Sequence, residues 1–228
     1  MKISTILDKI DEKQLFIPAF QREYVWKRDD AKMLVDSLIK EYPTGTMLTW
    51  ETANPPELKG LHKYNAKQGA VRLLLDGQQR VTTLYMLIRG QIPDYYTQAE
   101  IMNDTRGLYV NLATLELAYY MKTRMDNDPY WQNITDVFQG KVSAFDLQAA
   151  FAKLNKALGM EELKKLNDNI NAVTRIKDRD FPEQTIPVRA NIREAIDIFY
   201  KVNGTRACTD LGLLAAGARS LQGQACAA

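Results

Sequence analysis

The feature that most constrains this chain is an abrupt change of period at residues 71–90. Val71, Leu73, Leu74 and Leu75 form a short, continuous apolar run of the kind that makes a buried strand. Asp76-Gly77 breaks the run, and Val81, Leu84, Tyr85 and Ile88 then repeat at helical spacing until Gly90 and Pro93 close the helix. A strand, a tight turn and a helix N-terminus in that order present unpaired backbone N–H groups at one point. That arrangement favours an anion.

The residues at the turn suit the same chemistry. Gly77 lets the backbone approach a ligand without a Cβ in the way. Arg80, in the first helical turn, carries a planar fork of donors matched to phosphate oxygens. Gln78 and Gln79 can donate to oxygens or orient a water, and Asp76 can hold a bridging Mg²⁺ or simply cap the helix. A solvated Asp-Gly turn is the plainer reading of the same residues. The Gly-rich spacing and Lys-Ser/Thr pair of a Walker loop are missing.

A second polar segment lies upstream. The apolar, β-prone run at residues 16–20 contains Pro18, which restricts it to a sheet edge or a strand end. Gln21, Arg22, Glu23, Tyr24 and Trp26 follow. Gln21 and Arg22 are expected to meet the Asp76–Arg80 turn in one pocket, because a triphosphate needs donors from more than one side. Tyr24 and Trp26 can stack on a base or fill the core.

Elsewhere the first hundred residues mix strand and helix. Asp29 or Asp30 can cap a helix whose apolar face is Ala31, Leu34, Val35, Leu38, Ile39 and Tyr42. Strands are expected at residues 46–50 and 107–112, with a loop from 54 to 69 that contains the chain's one histidine, His62. Past residue 114 the pattern turns helical, with helices expected at 115–125, 130–138, 143–158 and 161–176. Residues 185–188 are short and extended, and Asn191 caps a last helix through Ala195, Ile196, Phe199 and Val202. Beyond about 213 the tail loses its periodicity. The expected organisation is a nucleotide-binding core at 1–112 and a mostly helical region at 113–228.

The remaining classes are narrowed by composition. A net charge of +2 gives no broad basic field for nucleic acid. No apolar stretch suits a membrane span, and no basic start precedes an apolar signal run. Cys208 and Cys226 suggest neither a disulfide framework nor a zinc cluster, so a cytoplasmic location is expected.

Three segments in order, IPAFQREYVW, LIKEYPTGTMLTW and LLLDGQQRVTTLYML, resemble the N-terminal domain of GmrSD-type restriction proteins, the DGQQR family. EAIDIFYKVNGT is similar to that family's later helix. The resemblance implies an α+β fold with a ParB/sulfiredoxin-like mixed sheet-and-helix core followed by a helical region. It implies NTP binding with Mg²⁺, the base being guanine, adenine or cytosine, and often hydrolysis that controls cleavage of modified foreign DNA. The nuclease, of the His-Asn-His type, is then expected in a separate C-terminal domain or a partner. On this reading Gln21, Arg22, Gly77, Arg80 and Thr82 bind nucleotide, while Asp76, Gln78 and Gln79 carry catalysis and Asp76 holds the metal. A ParB-like switch that binds nucleotide without turning it over is the rival. Assembly into a homo-oligomer is left open.

Overall fold

The computed structural model describes residues 1–60, 64–65 and 69–203. His62, Cys208, Cys226 and the tail lie outside them, as do the final residues of the Asn-Gly-Thr segment. Its backbone is α+β, as expected, and is organised around two small sheets.

The larger sheet holds the strand-turn-helix. Strands β1 (Leu15–Phe16), β2 (Met47–Thr52), β3 (Val71–Asp76) and β7 (Glu183–Ile186) lie in the order β1-β3-β2-β7. β3 runs parallel to β1 and antiparallel to β2, and β7 runs parallel to β2 on its outer side. The two-residue period sends alternate side chains to opposite faces. Leu15, Ile17, Met47 and Leu74 join the main core. Phe16, Leu48, Trp50, Leu73, Leu75 and Ile186 join a second cluster, which Ala195 on α8 (Ile192–Asn203) completes. β3 is therefore apolar on both faces, which explains its unbroken run of leucines.

Helix α3 (Gln78–Arg89) follows β3 after a single residue and crosses the main core. Around it pack α1 (Ile3–Asp11), α2 (Arg28–Ile39) and α5 (Ile134–Phe138). Helix α2 begins as its pattern requires, although the N-cap is Lys27, whose backbone N–H donates to Asp30 Oδ2 at 2.8 Å. Asn191 caps α8, its Oδ1 accepting from the Glu194 N–H at 3.0 Å.

The second half departs from expectation. Where a helix is expected at 115–125, the chain forms strand β5 (Leu117–Tyr119) and the short helix α4 (Lys122–Met125). The cause is local: Asn111 Oδ1 accepts from the N–H groups of Ala113 and Thr114, and Leu115 adopts φ 62°. That turn returns the chain against β4 (Leu108–Asn111) as a hairpin. The start of the helix expected at 130–138 is likewise strand β6 (Trp131–Asn133), which completes a β5-β4-β6 sheet, and α5 follows. Helices α6 (Ala144–Lys153) and α7 (Met160–Thr174) stand where helices are expected, α6 being shorter.

One core unites Ile3, Leu84, Leu108, Val137 and Phe181, and β7 completes the sheet that begins with β1. The physical reason is that β2 needs a partner along its outer side, and residues 183–186 supply it.

Candidate functional site

The two polar segments expected to converge are in contact. Residues 21–26 run without regular structure along the start of α3, and glutamine side chains fasten them there. Gln21 Nε2 donates to the Leu75 carbonyl at 2.8 Å. Gln78 Nε2 donates to the Arg22 carbonyl at 3.1 Å and also bonds the Tyr96 hydroxyl. Gln79 uses both ends of its amide. Its Nε2 donates to the Glu23 carbonyl at 3.0 Å, while its Oε1 accepts from the Val25 N–H at 2.9 Å and the Trp26 N–H at 3.3 Å. An amide side chain reads an extended peptide in this way as a neighbouring strand would. Gln78 and Gln79 are only 4% and 7% exposed. The Gln78 Oε1 is buried without a hydrogen-bond donor.

Arg80 faces the other side of the turn. Its Nη1 donates to the Thr44 carbonyl at 2.5 Å and its Nη2 to the Thr46 carbonyl at 2.9 Å, with Asp76 Oδ2 at 3.4 Å. The guanidinium also lies 5.2 Å from the Phe181 ring centroid. Its side chain is 15% exposed, and burial pushes its pKa down from the usual value, partly offset by Asp76. Two glycines leave room for it. A Cβ on Gly45 would stand 2.7 Å from Nη1, and one on Gly77 would stand 3.3 Å from Nη2 and 3.1 Å from Met47 Cγ. Both have positive φ, 84° and 94°. Gly77 thus leaves room for the close packing of Arg80 and Met47.

Several of the residues expected at the site have partners on the chain itself. Arg80 gives both terminal nitrogens to backbone carbonyls and so ties the 44–46 loop to α3. Thr82 is enclosed in the core, and its hydroxyl pairs with the Tyr95 hydroxyl at 3.0 Å. No ligand reaches it without opening that core. Gln79 holds backbone at both ends of its amide. Tyr24 fills the core, its hydroxyl 2.7 Å from Thr83 Oγ1, and does not offer a ring to a base. Asp76 stays partly exposed at the end of β3.

The described residues hold no group of three His, Cys, Asp or Glu side chains arranged for a metal. Asp76 alone fits Mg²⁺ only as one carboxylate, with phosphate oxygens and water supplying the rest. Helix α3 starts without a side-chain cap at Gly77, so its first N–H groups leave a partial positive charge there, beside the paired charges of Arg80 and Asp76.

The structure adds residues that sequence reasoning missed. Lys59, placed in a loop by its neighbours Pro55 and Pro56, sends its Nζ to the Arg22 carbonyl at 3.0 Å and to Glu23 Oε1 at 2.9 Å. It also lies 4.8 Å from the Tyr96 ring centroid, with the hydroxyl at 3.4 Å. Burial, aided by Glu23, raises the Tyr96 phenol well above its usual value, so Tyr96 remains a neutral hydroxyl here. The backbone sets this placement: Lys59 N–H donates to the Ile17 carbonyl, and Ala19 N–H to the Glu57 carbonyl, both at 2.8 Å. No local signal marks Lys59, since the pairing spans some forty residues.

Comparison with known proteins agrees with the motifs. Over 92 residues the chain is 35% identical to an uncharacterized protein of Methanocaldococcus jannaschii, MJ0686. That match covers 36% of this chain and 16% of the relative's length, so the two are alike over only a small part of the longer protein. No helix among the described residues is long and apolar enough to cross a membrane. The family described as "GmrSD restriction endonuclease, N-terminal domain" matches residues 3–207, and on that match the chain belongs to it.

Proposed function

We propose that this chain is the NTP-binding regulatory module of a restriction system that acts on modified foreign DNA in phage defence. The observation that carries the reading is the convergence of residues 21–26 on the uncapped start of α3. Family membership supplies the restriction context. The nucleotide's phosphates lie at that helix N-terminus, drawn by the unpaired N–H groups and by the charge of Arg80 held beside Gly77. Arg22 approaches from the neighbouring segment, and Asp76 shares a Mg²⁺ with the phosphates. GTP, ATP and CTP are the candidates. A His-Asn-His nuclease in another domain or subunit performs the cleavage, and the module works in the cytoplasm.

Turnover requires Gln78 or Gln79 to release a backbone partner and orient a water near Asp76. Because both amides already hold the 21–26 segment, a switch that binds nucleotide with little hydrolysis is the second reading. Calorimetric titration with GTP, ATP and CTP, each with and without Mg²⁺, tests the site. Saturable binding of one of them is expected. Failure of all three under both conditions would remove the nucleotide role, and a phosphate-release assay separates turnover from binding alone.

A further inference from the structure

We infer that Lys59 is the cation that contacts a phosphate oxygen at this junction, and that Glu23 holds its place until the ligand arrives. The inference rests on the nucleotide reading above. Arg80 already gives both terminal nitrogens to backbone carbonyls, so the residue that looked most suited to phosphate is engaged with the chain itself. Lys59 differs in the kind of partner it has. Its side chain is 6% exposed, whereas the Glu23 side chain paired to it is 58% exposed. The carboxylate therefore lies on the solvent side of a buried ammonium, where an incoming anion can exchange with it without leaving the ammonium unpaired.

Hydrogen bonding around Lys59 points the same way. The Arg22 carbonyl receives the Lys59 ammonium, the Gln78 amide and the Tyr96 hydroxyl at 3.0, 3.1 and 3.3 Å. Three donors crowd an oxygen that has two lone pairs. Glu23 Oε1 is the other strong acceptor that reaches the ammonium. Glu100 also acts electrostatically on this group, but its carboxylate is bonded to Thr97. A nook with surplus donors, one replaceable carboxylate and a desolvated cation suits an anion with several oxygens, as a phosphate has. An arriving phosphate takes the place of Glu23 Oε1 on Lys59 Nζ and relieves the crowded Arg22 carbonyl. No bond is made or broken beyond hydrogen bonds.

Glu23→Gln is the decisive variant because it removes the competing negative charge, leaving the ammonium with only a neutral amide oxygen at that position. Calorimetric titration of the full chain with inorganic tripolyphosphate and with each NTP should show Glu23→Gln binding about twofold to fivefold more tightly than the parent. Lys59→Met should bind about tenfold to a hundredfold more weakly than the parent at a temperature where both are folded. If Lys59→Met fails to fold, Glu23→Gln alone decides. Equal or weaker binding by Glu23→Gln, or no tripolyphosphate binding by parent and variant alike, overturns the inference. Binding of tripolyphosphate that tightens in Glu23→Gln, without binding of any NTP, keeps the Lys59 assignment and removes the nucleotide reading. NTP binding that Glu23→Gln leaves unchanged does the reverse.

Discussion

Replacing Gln79 tests whether the motif glutamines act first on the chain's own backbone. In Gln79→Met the side chain keeps its length and apolar stem but loses three hydrogen bonds, two of 2.9–3.0 Å and one of 3.3 Å. Each ordinary bond contributes about 1 kcal/mol net, and the longer one less. The partners lie at partly exposed residues, so water recovers some of what is lost. A destabilisation of about 2–3 kcal/mol follows, which in a chain of this size lowers the melting temperature by about 4–12 °C. Gln79→Glu is the sharper variant. It keeps an acceptor for Val25 and Trp26 but sets a carboxylate oxygen against the Glu23 carbonyl 3.0 Å away. It should melt below the parent at pH 7 and recover part of the loss as the pH falls and the new carboxyl protonates. Thermal unfolding followed by far-UV circular dichroism measures both. A Gln79→Met protein that melts within about a degree of the parent would show that the amide does not hold residues 23–26. The water-orienting role expected from sequence would then regain its ground.

Three further outcomes follow from the same geometry. Arg80→Ala should lower stability by about 1.5–3 kcal/mol through loss of its bonds to the 44–46 loop, with Arg80→Lys recovering only part; an unchanged denaturation midpoint would show that loop to be held otherwise. Gly45→Ala should also destabilise, by about 1 kcal/mol or more, from its positive φ and the 2.7 Å approach to Arg80 Nη1, and pairing it with Arg80→Ala should relieve the steric share, as a double-mutant cycle would read out. Burial raises the phenols of Tyr24 and Tyr85 from 10 to about 12. A raised folded-state pKa contributes stability that is complete below pH 10 and lost as the pH climbs towards 12, so the denaturation midpoint should fall over that window. Tyr24→Phe should flatten the fall, and an equally steep one would place the alkaline sensitivity elsewhere.

Local information settled much of this molecule. The change from a continuous apolar run to a 3.6-residue period at Gly77 fixes β3, the turn and α3, because strand and helix signals there lie within one short segment. The apolar stripe of α2 and the Asn191 cap of α8 are legible for the same reason. So is the meeting of two Gln/Arg-bearing segments, which follows from each ending an extended run. What local reading lacked was the partner of each polar group. A free glutamine and one bonded to a peptide fifty residues away look alike in sequence, and only packing shows that Gln78, Gln79 and Arg80 are engaged with backbone. The hairpin at 108–119 likewise depends on the Asn111 side chain turning the chain and on β4 offering an open edge, and neither shows as periodicity. Lys59 is the clearest case. Nothing near it in sequence distinguishes it from a solvated loop lysine, and its burial comes from residues 17–19, 22–23 and 96, brought together by the fold.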